Sequence, residues 1–358
     1  MKNGLSLVQL AETVTAQQER KKDYVASTRH MNMNAEGKLR IGDDIEVQVN
    51  RHAHTQIAQH LGIPQKYYDL MKSEAPDLLA TNVNTWFAKN DATRMVRTLD
   101  GNCRAVLSNG YRAMENFDLC EAAIPVLHDA GVAIMSCSIT ETRLYIKAVD
   151  KSVCEKLPAG AKFGDGSHHI IRALSPAITI SNSEVGCGAL SVLTGVYDGF
   201  CTNLATFGER SLRKYHVGSK HEIGDDTYQL LSDKTKRLTD AALWSQVRDV
   251  VKAAFDRAKF DAIVHELKAA QADEITGDVA KVVEITAKNY HMTEDERGSV
   301  LRHLIKGGDL SRFGLHNAIT RTAEDLGDYD RASEFERTGG KIIELPRSEW
   351  SAILKAAA

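Results

Sequence analysis

The sequence predicts an α+β fold: an antiparallel β-hairpin and helix core over residues 93–220, set between an N-terminal helical subdomain with a short hairpin, residues 1–92, and a C-terminal helical domain, residues 221–358. Three observations predict it. Period-two alternation broken by turn dipeptides recurs through the middle of the chain, apolar spacings of three and four take over from about Asp225, and proline and glycine mark helix boundaries in the first ninety residues.

Taken in order, residues 5–26 read as an amphipathic helix, followed by a short β segment, KLRIGD then DIEVQVNR, in which Ile45, Val47 and Val49 alternate with polar neighbours. HTQIAQHLG ends on Gly62. Pro64 and Pro76 each open a new helix, because a first-turn proline lacks only an N–H that would have no helical partner. From Thr93, TRMVRTL and NCRAVLSN flank Asp100-Gly101, a dipeptide suited to a two-residue hairpin turn. A helix follows from about Phe117 to Ala130, closed by Gly131. VAIMSCSI and TRLYIKAV flank Thr140-Glu141 as a second hairpin, and HHIIRALSPAITISNS and CGALSVLTGVY supply further strands. Segments 226–271, 277–289, 293–306, 311–326 and 329–338 read as helices punctuated by Gly307-Gly308 and Gly339-Gly340, with KIIELP as a short extended stretch after them.

A chain of 358 residues, 43% hydrophobic and 26% charged, is large enough to bury a sizeable core. It holds no run of the roughly 18 to 20 apolar residues that a membrane-spanning helix needs, and MKNGLSLVQLAETVTAQQERKK lacks the apolar centre of a signal peptide, so a cytoplasmic protein is expected. The six cysteines are dispersed without a C-x-x-C pair, which points to reduced thiols in apolar surroundings. Net charge is −3, and its sign divides: residues 1–220 carry 25 Lys plus Arg against 23 Asp plus Glu, and the remainder is acidic. Any basic surface belongs to the first part.

No phosphate-binding P-loop, dinucleotide fingerprint or H-E-x-x-H pair occurs, which removes ATP-driven motors, dinucleotide enzymes and zincins; no cofactor is expected. In ISNSEVGCGALSV, Asn182, Ser183 and Glu184 cap or bind a polar group while Gly186 and Gly188 admit close backbone approach, or the stretch is only a polar strand connection with a glycine bulge. Asp165, Glu184 and His216 form the one conceivable metal set, and no metal is expected: His168 and His169 are adjacent and point to opposite faces of a strand, and His216 and His221 stand among cations. In FGERSLRKYHVGSK, Arg210, Arg213, Lys214 and His216 suit a phosphate clamp or a solvated loop. Arg94, Arg97, Arg104 and Arg112 surround the first hairpin turn, with Arg94 and Arg97 on opposite faces of an ideal strand.

WFAKN, RAVLSNGYRAMEN, TISNSEVGCGALSV, the FCTNLATF run, RKYHVGS and LHNAITRTAEDL with the Gly339-Gly340 pair together resemble the phage- and plasmid-borne family known as domain of unknown function 932, over roughly residues 40 to 345. Leu204 stands where that family often has glycine. The order of hairpin, helix and further antiparallel strands is also similar to the core of the Rad52-like single-strand annealing proteins. That likeness implies a homo-oligomer that holds single-stranded DNA by its backbone and needs neither nucleophile nor NTP. The expectation is therefore a phage-type single-stranded DNA-binding, annealing or recombination protein acting without catalysis in a bacterial host's cytoplasm. Arg94, Arg97, Arg104 and Arg112 would line one side of a groove, and Arg210, Arg213, Lys214 and His216 the other. Two other readings stand beside it: a ligand- or metal-dependent enzyme with Glu184 or His216 as general base near Asp165 and His169, and a host-interaction protein with an exposed apolar stripe on residues 277–326.

Overall fold

A computed structural model describes residue 2 and residues 4–162, 169–199, 203–214 and 233–358. The fold is α+β, with two six-stranded sheets among the described residues, the first carrying one parallel pair, β4 with β6, and the second antiparallel throughout. The first sheet has the order β1-β5-β6-β4-β3-β2, formed by β1 (Lys21–Ser27), β2 (Met31–Met33), β3 (Leu39–Ile41), β4 (Ile45–Val49), β5 (Thr93–Leu99) and β6 (Asn102–Ser108). Asp100 and Gly101 take φ angles of 52° and 74°, as a hairpin turn matched to strand twist requires. Helices α2 (Arg51–Leu61), α3 (Gln65–Glu74) and α4 (Pro76–Lys89) cover one face of this sheet, burying Ile57, Tyr68, Val83 and Phe87 against Met33, Leu39, Val96 and Val106. Gly62 ends α2 at φ 67°, and Pro76 opens α4.

Helix α1 covers Leu7–Arg20, with Ser6 and Gln9 forming a capping box. The helix expected over 5–26 therefore stops six residues early. Residues 21–27 instead pair antiparallel with β5, Lys21 opposite Leu99 and Ser27 opposite Thr93. Through this pairing β5 and β6 join β1 and β4 in one sheet, and residues 21–108 supply that sheet and the helices that cover it. Hydrogen bonds between strands seventy residues apart leave no local trace in the sequence.

The second sheet has the order β12-β11-β10-β8-β7, with β9 also on β10. Its strands are β7 (Ala133–Ile139), β8 (Leu144–Val149), β9 (Glu155–Lys162), β10 (His169–Asn182), β11 (Leu190–Asp198) and β12 (Asn203–Lys214). One face packs on α1, α5 (Asn116–Asp129) and α6 (Asp233–Ala253) through Leu10, Leu119, Ile146, Ile180, Val192 and Val247. Helix α6 thus shares a core with this layer.

The C-terminal part is helical as expected: α7 (Arg257–Gln271), α8 (Val279–Asn289), α9 (Glu294–Gly307), α10 (Arg312–Asp325), α11 (Tyr329–Glu344) and α12 (Arg347–Ala357). Gly308 closes α9 at φ 68°. Gly339 and Gly340 do not punctuate; they lie inside α11, which also absorbs most of KIIELP. A Cβ on Gly339 would lie 2.3 Å from Thr320 Cγ2, and one on Gly340 2.0 Å from the Thr206 carbonyl oxygen, so these glycines let α11 press against α10 and β12. Lys147 of β8 and Glu336 of α11 form a fully buried ion pair at 2.7 Å. No described helix is long and apolar enough to cross a membrane.

Candidate functional site

The loop between β10 and β11 enters the space between the two sheets. Asn182, the last residue of β10, donates from Nδ2 to the Met114 carbonyl at 2.7 Å and to Asn116 Oδ1 at 2.9 Å, fixing the start of α5. Ser183 Oγ accepts the Cys187 N–H at 2.9 Å and holds the loop's own turn. The carbonyl of Ser183 accepts Tyr111 Oη–H at 3.1 Å. Gly186 has φ 76°, with Leu107 Cδ2 2.7 Å from where its Cβ would be; Gly188 has φ 117° and lies against the Arg143 guanidinium. Both glycines serve the close approach their positions suggested.

Glu184 is the centre. Its Oε1 accepts the Asn116 backbone N–H at 2.8 Å and Lys21 Nζ at 3.2 Å, and its Oε2 accepts Arg104 Nη2 at 3.0 Å. Its backbone carbonyl accepts Arg97 Nη1 at 3.0 Å. Arg97 spends its other nitrogens on Asp23 Oδ1 at 3.0 Å and Glu115 Oε1 at 2.6 Å, while Lys21 also pairs with Glu115. Three cations, Lys21, Arg97 and Arg104, meet three carboxylates, Asp23, Glu115 and Glu184, brought from β1, β5, β6, the entry to α5 and the β10–β11 loop.

The electrostatics follow from burial and pairing. Burial favours the neutral acid at Glu184, but Arg104, Lys21 and the Asn116 N–H outweigh it and hold the carboxyl at about 2. Glu115 moves the other way: burial and the neighbouring Glu184 charge raise it against the pull of Arg97 and Lys21. Burial would lower the Arg97 guanidinium, and Glu115 and Asp23 more than reverse that. A carboxylate with both oxygens occupied and its proton affinity lowered is a poor general base. It is a strong anchor.

The four hairpin arginines therefore do not line one groove. Arg97 and Arg104 are turned onto carboxylates of the junction, and Arg112 pairs with Asp240 of α6. Arg94 lies on the opposite face of β5 from Arg97, near enough to His60 to add to the burial that lowers that imidazole. Arg210, Arg213 and Lys214 lie in β12, Arg213 opposite Ser191 and Lys214 opposite Leu190, on the outer strand of the second sheet among the described residues. His216, His221, Asp165 and His168 lie outside the described residues; His169 opens β10. Among the described residues no three His, Cys, Asp or Glu side chains gather as a metal site would need.

Sequence reasoning did not find Lys21, Asp23, Glu115 or the Lys147–Glu336 pair. One signal was present for the last: Lys147 stands alone inside the apolar strand LYIKAV, and a charge buried there needs a partner. No family model, curated protein or solved structure matches the chain, so the arrangement is read from its own residues.

Proposed function

We propose that the chain is a non-enzymatic single-stranded DNA-binding protein of the annealing or recombination kind, of phage or plasmid origin, working as a homo-oligomer in the cytoplasm of a bacterial host. The observation that carries this reading is the division among its basic residues. Arg97, Arg104 and Arg112 of the hairpin region are each paired with carboxylates of the chain itself, whereas Arg210, Arg213 and Lys214 lie in the outer strand β12. A basic run on an outer strand suits contacts to a phosphate backbone, which need position and charge but no nucleophile. The resemblance to domain of unknown function 932 and the order of elements shared with Rad52-like annealing proteins point the same way.

The alternatives find less support. Glu184 has its oxygens engaged, and the exposed large apolar side chains described on residues 277–326, Ile305 and Leu310, are two isolated positions and not a stripe. The test is fluorescence anisotropy with labelled single- and double-stranded DNA across a salt series. Preference for the single strand, weakening as salt rises, is the expected result. Replacing Arg210, Arg213 and Lys214 together by alanine should lower the salt slope by about 2, at roughly 0.7 per phosphate contact on a single strand. Salt-insensitive binding, or none at low salt, refutes the reading.

A further inference from the structure

The unit of residues 21–108 has its own core, built from β1–β6 and α2–α4. The rest of the chain has others, and among the described residues no buried cluster around α1, α5 and the second sheet reaches into the first unit except a small one: Ala105, Leu107 and Val185, with Met95, Tyr111 and Cys187 packed against it. The chain crosses between the two parts twice, at Arg20–Lys21 and over residues 109–115. Among the described residues, helix α2 also touches the β10–β11 and β7–β8 loops. His52 and Gln56 of α2 reach the Val185 carbonyl at 2.9 Å and 2.8 Å, and the His52 backbone N–H donates to Glu141 Oε1 at 2.9 Å. Beside them lies the six-charge junction around Glu184. An interface that is small in apolar area and held by charge is the kind that opens.

We propose that the 21–108 unit hinges away from the rest of the chain at this junction, and that a single-stranded nucleic acid backbone stabilises the open form by taking Lys21, Arg97 and Arg104 from Glu115 and Glu184. The inference rests on the single-strand reading and deepens it: the hairpin arginines are a second set of phosphate contacts, held in reserve by internal carboxylates. Carboxylate and phosphate oxygens compete for the same guanidinium forks, and Arg97 already presents Nε, Nη1 and Nη2 to three separate oxygen acceptors. A ligand shifts such an equilibrium only by its differential affinity, and three cations unavailable in the closed form and accessible in the open one supply it. Both crossings lie beside the junction, so the hinge and the lock are adjacent.

Hydrogen exchange of the intact chain with and without oligothymidylate at low salt decides it. Amides of the 183–188 loop and of β6 should exchange faster when the oligonucleotide saturates the protein, and the Glu115→Gln, Glu184→Gln double variant should bind about tenfold more tightly, since two competing charges are gone. Anisotropy showing binding while junction exchange stays unchanged, or slows, overturns the hinge and leaves the single-strand reading intact. No binding at all overturns both. If the double variant fails to fold, the exchange measurement on the unaltered chain still decides.

Discussion

Gly340→Ala should destabilise the protein although it replaces a glycine in a helix interior. On propensity alone the change favours α11 by about 1 kcal/mol, because alanine loses less backbone entropy than glycine. The structure opposes it. The new Cβ would lie 2.0 Å from the Thr206 carbonyl oxygen and 2.8 Å from its carbon, both backbone atoms of β12 that cannot rotate aside. To reach ordinary contact, helix and strand must separate by more than 1 Å, roughly, where α11 packs on the sheet; overpacking of this kind costs about 1–3 kcal/mol. The net expectation is a loss of up to about 2 kcal/mol, the propensity gain being offset or outweighed. Gly298→Ala is the internal control: it lies on the exposed side of α9 with nothing within 4 Å of its added Cβ, so it should gain roughly 0.5–1 kcal/mol. Urea unfolding followed by circular dichroism, with midpoints compared at equal slope, reads both. A Gly340→Ala protein stabilised as much as the Gly298→Ala control would refute the close-packing argument.

Glu184→Ala should cost about 3–5 kcal/mol, since it leaves Lys21, Arg104 and the Asn116 N–H facing a buried gap; a loss below about 1 kcal/mol in denaturant unfolding would place those cations in water. The Glu184 carboxyl is depressed from 4.5 to about 2 on folding, so its contribution is complete above pH 4.5 and is lost as pH falls toward 2. Glu184→Gln should lack that acid-dependent component in a pH series of unfolding midpoints. His54 and His316 are buried and lowered from 6.5 to about 4, chiefly by desolvation. The unfolded chain then binds more protons between those values, so stability should fall with pH from 6.5 to 4, and His316→Phe should flatten part of the slope. Gly188→Ala should cost more than Gly42→Ala: φ is 117° at the first, where side chains are almost never found, and 63° with open space at the second; equal melting temperatures would contradict this.

Signals written within a few residues were legible. Asp100-Gly101 turns β5 into β6, Gly62 and Gly131 take the positive φ that their positions after helices implied, and the hairpin around Thr140-Glu141 forms as read. Distant relations were not. KKDYVAS continues the polar pattern of α1, and only its pairing with residues 93–99 makes it a strand. A glycine that ends a helix and one that lets a helix touch a strand look alike in a sequence, so Gly339-Gly340 read as a boundary. The polar triplet was located, but its meaning lay in Lys21, Arg97, Arg104 and Glu115, which come from four other segments.

The continuous run from α1 into β1 has a consequence for synthesis. Its helix half packs beside β7 and α5, and its strand half needs β5, so neither half has a partner when it leaves the ribosome. The strand waits for about seventy further residues and the helix for more than a hundred, and each such delay slows folding through the entropy of closing a long loop. Val8 and Val25 stay exposed even after docking, so the nascent segment is apolar on several sides while it waits. During that wait the segment is an unpaired strand edge beside exposed apolar side chains, the kind of surface on which a nascent chain associates wrongly.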